Sequence, residues 1–68
     1  MKIIVVAYET GPGQRAYLCR YEDRWLPMAV YSDMRLFDSW ETAELWAAEY
    51  VLKHPKYVGR LYVETRGS

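Results

Sequence analysis

Phe37-Asp38-Ser39-Trp40-Glu41-Thr42-Ala43-Glu44-Leu45-Trp46-Ala47-Ala48-Glu49-Tyr50-Val51-Leu52-Lys53-His54-Pro55 is the stretch that decides the fold. Its apolar residues recur at helical spacing, and both ends carry helix punctuation. Asp38 reads as the N-cap, with Glu41 three residues on to complete a capping box, and Ser39 competes for the cap one position later. Phe37 occupies the staple position ahead of Asp38. Carboxylates crowd the start and Lys53-His54 the end, matching the helix dipole. Pro55 stops the run, because it cannot continue the hydrogen-bond ladder.

Laid out at about 100° per residue, this helix has two apolar faces. Trp40, Ala43, Trp46, Ala47, Tyr50 and Val51 form a stripe wide enough to cover a small sheet. Asp38, Glu41 and Glu49 fall on the opposite side, and Leu45, Ala48 and Leu52 fall there with them. Leu45 and Leu52 lie seven residues apart, so they stack on one line with Ala48 between them. Single exposed leucines are ordinary on protein surfaces, so the reading rests on this spacing. A domain with one helix and one sheet has no further element to lay over the second stripe. Asp38, Glu41, Leu45, Ala48, Glu49 and Leu52 are therefore the candidate partner-binding residues, for another protein or for a second copy of the chain.

Ahead of the helix, Lys2 to Glu9 contains Ile3, Ile4, Val5 and Val6 in a row. Both faces are apolar, which suits a central strand covered on each side. Thr10-Gly11-Pro12-Gly13-Gln14 is a turn, and Arg15 to Tyr21 reads as the returning strand of a hairpin. A strand is expected from Trp25 to Tyr31, with Pro27 demoting it towards an edge. Ser32-Asp33-Met34-Arg35 reads as a turn. After the helix, Tyr57 to Thr65 is a last strand, with Gly59 marking a bulge or a close crossing by the helix. Arg66-Gly67-Ser68 is expected to be a frayed tail. The fold class is α+β: a three- to four-stranded antiparallel sheet in the order β-β-β-α-β, with one amphipathic helix packed on one face. Residues 1–68 read as a single domain.

Composition excludes several functions. A chain of 68 residues buries only about 60% of the surface its unfolded form exposes. Cys19 is the only cysteine, so no internal disulfide is available and a cytoplasmic location is the reading. One Cys and one His, His54, are too few soft ligands for a zinc site, and no cofactor is expected. Three Trp, seven Tyr and one Phe must supply much of the core. Nine basic residues balance nine acidic ones, which argues against strong attraction to nucleic acid. The apolar start is short and strand-like rather than a leader, and no segment approaches the length of a membrane span.

No catalytic centre is expected. Glu22-Asp23 sit in a turn, Glu41 and Glu44 are solvated helix acids, and His54 suits a cap at the helix end. Cys19 reads as a small buried hydrophobe. Gly11-Pro12-Gly13 leads into a strand, whereas a phosphate cradle needs a helix directly after it. One alternative surface remains. Arg60 and Tyr62, with Arg20 and Tyr8, would form an aromatic and basic sheet face of the kind that stacks single-stranded bases. Its structural counterpart is a cross-strand Tyr/Arg ladder, which is the favoured reading.

In size, layout and the Phe37-Asp38-Ser39-Trp40-Glu41 run into a Trp-bearing acidic helix, the chain resembles small phage-encoded host-takeover proteins, of which anti-CRISPR proteins are the best-known group. That resemblance implies stoichiometric inhibition by covering the nucleic-acid site of a CRISPR effector subunit or nuclease. The β-β-β-α-β order is also similar to antitoxins of HicAB-type modules, which implies a nucleic-acid-binding regulator. Leu26-Pro27-Met28 and Asp38-Ser39-Trp40 depart from the Pro-Gly-Cys-like turn and the Gly-Asp-Thr helix start of those antitoxins.

Overall fold

The computed structural model describes residues 2–22, 24–27 and 31–67, with Tyr31 described by its backbone alone. Strands β1 (Ile3–Gly11), β2 (Gln14–Leu18) and β3 (Trp25–Leu26) precede helix α1 (Trp40–Lys53), and β4 (Leu61–Arg66) follows it. Short 3-10 turns span Tyr31–Asp33 and Pro55–Tyr57. The strands form one antiparallel sheet in the order β3-β2-β1-β4. The expected α+β architecture is therefore the observed one.

β1 is central because it is apolar on both faces, and each face has its own cover. On one side Val6 and Leu18 are sealed beneath Ala43 of α1, with Ile4, Phe37 and Val63 around them. On the other, Ile3 and Val5 pack with Met34 and Tyr17. β1 overruns its expected end at Glu9 and reaches Gly11, which pairs with Gln14 after a register shift. The connection is then Pro12-Gly13, with Gly13 at φ 71°. Proline fixes the first corner and glycine accepts the positive φ of the second.

β2 ends at Leu18, short of the expected Tyr21, because another segment takes its place beside β1. Met34 bridges to Cys19 and Phe37 bridges to Ile4. The Arg35 N–H donates to Leu18 O at 2.9 Å, and the Phe37 N–H donates to Ile4 O at 3.0 Å. The chain before the helix thus wedges between β1 and the departing end of β2. Met34, expected in a turn, becomes fully buried. β3 stops at Leu26 ahead of Pro27, and the rest of the expected third strand, Met28 to Val30, lies outside the described residues. Tyr31 belongs to a 3-10 turn and not to a strand.

Ser39, the competing residue, is the N-cap of α1. Its backbone is extended (φ −149°, ψ 160°), and its hydroxyl accepts the Thr42 N–H at 3.1 Å. The Asp38–Glu41 capping box does not form, since the helix begins one residue later than that box requires. At the other end the His54 N–H donates to Tyr50 O at 2.8 Å, so His54 does cap the helix. Pro55–Tyr57 then coils into its 3-10 turn, which delays β4 to Leu61. Gly59, at φ 74°, turns the chain into β4, and a Cβ there would meet open space. It marks neither a bulge nor a close crossing. Arg66 is not frayed: it pairs with Ile3 and donates to the Tyr17 hydroxyl at 2.7 Å.

Candidate functional site

The sheet lies against one side of α1, at Ala43 and Trp46, so the opposite side faces outward. Leu45 is 61% exposed and Leu52 is 82% exposed. Ala48 between them is exposed, as are Asp38, Glu41, Glu44 and Glu49. The six residues expected on this face are all at the surface. Trp40, by contrast, was expected in the core stripe and is 44% exposed. Phe37 takes the inner position near the helix start, packing on the core cluster and on Trp46 at 6.2 Å between ring centroids.

A second feature was not foreseen from sequence. Trp25 sits at the hub of an aromatic cluster that ties three parts of the chain together. Its ring lies 5.4 Å from Tyr8 on β1, 5.8 Å from Tyr50 on α1 and 6.1 Å from Tyr57 in the following turn. Trp46, Tyr50 and His54 continue it along the helix with centroid spacings of 4.9 and 4.5 Å. Beside this stack is a shallow cleft of about 310 Å³ lined by Trp46, Glu49, Tyr50, Lys53 and His54. Its two charged walls are opposite in sign, so it selects no net charge. The signal for this cluster was the aromatic content of the chain, but only the tertiary arrangement says which rings meet.

Burial in the cluster raises the Tyr57 pKa above its ordinary value of 10.0, and the Tyr50 hydroxyl adds to the effect. The Trp25 indole nitrogen is buried with no partner in hydrogen-bond geometry; its N–H dipole opposes the shift. Because the folded-state pKa is raised, the neutral phenol is favoured in the native state. The corresponding stability is fully present below the unfolded value and is lost as pH rises through the folded value. The thermal midpoint of the wild type should therefore fall above about pH 10, with Tyr57→Phe removing that component of the decline. A pH series of melts followed by circular dichroism checks this, and identical alkaline slopes in the two proteins would contradict it.

The alternative sheet surface is not assembled as expected. Tyr8 pairs with Leu61 and packs on Trp25, on the helix side, whereas Tyr62 pairs with Ala7 and points to the other face. Arg60 lies in the turn before β4, and its carbonyl accepts the Glu9 N–H at 2.9 Å. Arg20 follows β2 and donates to Ser32 O at 3.1 Å. A different Tyr/Arg ladder does form on the helix-free face. The Arg15 guanidinium lies 4.9 Å from the Tyr62 ring, and that of Arg66 lies 4.9 Å from the Tyr17 ring. Both arginines pair with Glu64, a carboxylate only 17% exposed, Arg66 at 3.9 Å. The Glu64 carboxylate offsets one of the two guanidinium charges, and the ion pairs and ring contacts together tie β2 and β4 across β1.

The remaining polar groups are dispersed. Glu22 pairs with Arg24 at 3.7 Å in the turn after β2, and Asp23 lies outside the described residues. The buried Cys19 thiol accepts the Tyr21 N–H at 3.4 Å, and this bond holds its pKa below the ordinary value. Burial opposes the shift, while the Glu22 backbone and Arg24 reinforce it. Among the described residues no three metal-ligating side chains group together, and no helix is long and apolar enough to cross a membrane. Comparison with protein-family models, curated proteins and solved structures returned no match.

Proposed function

We propose that this chain is a small non-enzymatic inhibitor or adaptor that acts by binding another protein through the outer face of α1. The observation that carries the reading is the exposure of Leu45 and Leu52, two turns apart on one line. Burying a leucine contributes roughly 1.5–3 kcal/mol, so two adjacent unburied leucines are a substantial latent contact. Helix-in-groove and helix-on-helix recognition commonly uses apolar side chains spaced at i and i+7 in this way. The resemblance to anti-CRISPR proteins extends the proposal to stoichiometric block of the nucleic-acid site of a CRISPR effector. Titration of the chain into an effector cleavage reaction, with loss of activity at one equivalent, is the corresponding assay.

The direct test is the double variant Leu45→Glu/Leu52→Glu. Both side chains are exposed, so the fold should survive; new like-charge pairs with Glu41 and Glu49 and an acid in the last helical turn should together cost about 1–2 kcal/mol, as checked by circular dichroism melts. Binding to a partner captured from host lysate, with the complex mass measured, should weaken by at least about a hundredfold. A folded double variant that still forms the complex would sink the helix-surface reading.

A further inference from the structure

The outer face of α1 also carries information about what it accepts. Glu41, Glu44 and Glu49 are all exposed around the Leu45–Ala48–Leu52 line, and among the described residues none of the three makes an ion pair. Lys53 is the one base within the helix itself. An apolar strip framed by unpaired carboxylates discriminates between occupants by charge.

A second copy fits this face poorly. Antiparallel two-fold pairing that sets Leu45 of one copy on Leu52 of the other brings the two Glu49 residues to within about one residue's rise, 1.5 Å, along the axis. Parallel pairing sets Glu41 beside Glu41 and aligns the two helix dipoles side by side. Either arrangement buries an apolar strip of two leucines and one alanine against like charges.

Resting on the proposed protein-binding role, we infer that the occupant is a helix of a foreign protein whose own apolar line is bordered by lysine or arginine. The leucines pack on that line and the three glutamates meet the bases beside it. Charge then steers the encounter, and the leucines hold the complex.

A pair of synthetic, helix-stabilised peptides tests this. One carries leucines seven residues apart flanked by lysines; the other has glutamates in place of the lysines. Fluorescence anisotropy with the full chain should show saturable binding of the lysine peptide alone. Its affinity should fall about tenfold between ~50 mM and ~500 mM salt. Glu41→Gln/Glu44→Gln/Glu49→Gln should weaken binding about tenfold at low salt and flatten the salt dependence. Equal binding of both peptides, or no effect of the triple variant, overturns the inference while leaving the leucine-based role standing. Unchanged binding by Leu45→Glu/Leu52→Glu overturns that role itself. A wild-type dimer in sedimentation equilibrium that the double glutamate variant abolishes would make a second copy the occupant and overturn the inference. Absence of binding by the lysine peptide at ~2 mM overturns it too, since a matched apolar and charged complement should exceed millimolar affinity.

Discussion

Replacing Trp25 with alanine is expected to destabilise the domain by about 3 kcal/mol, within the range for truncating a large core aromatic. Trp25 is on the two-residue edge strand β3, so backbone pairing alone holds it weakly. What anchors the strand is the ring, which contacts Tyr8, Trp46, Tyr50 and Tyr57. Its loss would open the space between the sheet and the C-terminal half of α1. A domain of this length is expected to have a total stability of roughly 3–10 kcal/mol, so the alanine variant should lose between about a third and all of it. Trp25→Phe should cost much less, about 1 kcal/mol, because the indole N–H it removes is buried without a partner. Urea titration of both variants checks the difference. A phenylalanine variant as damaged as the alanine variant would mean that the indole N–H, not the ring area, anchors β3.

The features legible in the sequence are those set by local periodicity. The four consecutive β-branched residues of β1 require cover on both sides, and the sheet places it there. Helical spacing alone assigns Leu45, Ala48 and Leu52 to one line, and a chain with one helix leaves that line uncovered. Pro12-Gly13 specifies its turn through φ preferences of two residues. The features that were not legible depend on contacts between distant segments. Met34 lies in a polar stretch that looks like a turn, yet divergence of β2 after Leu18 opens a place beside β1 where its side chain packs with Ile3, Val5 and Tyr17. Ser39 displaces Asp38 as cap because the pairing of Phe37 with Ile4 fixes where the chain can enter the helix. Sequence alone does not separate Tyr8 from Tyr62, because register across β1 cannot be read from either strand. A slip of one residue exchanges the faces of every side chain.

That register explains why Ala7→Leu is expected to cost about 2–3 kcal/mol, at the upper end for overpacking. Ala7 is fully buried, opposite Tyr17 on β2 and Tyr62 on β4. The guanidinium of Arg15 crosses from β2 to the Tyr62 ring, and that of Arg66 crosses from β4 to the Tyr17 ring. Both crossings pass over β1, and a small side chain at its centre leaves the room. A leucine there would lift both guanidiniums, separate them from Glu64, and strand a largely buried carboxylate. Two penalties then add: steric displacement of the tyrosines and loss of compensation for the Glu64 charge. Ala7→Gly, which retains the space, should cost about 1 kcal/mol through backbone entropy. Pairing the leucine with Glu64→Gln distinguishes the two penalties. The double variant should recover part of the loss, because no charge is left to strand. Denaturant titrations of the singles and the double give the coupling directly, and strict additivity would show that Ala7 serves the packing of the strands without holding the arginine ladder in place.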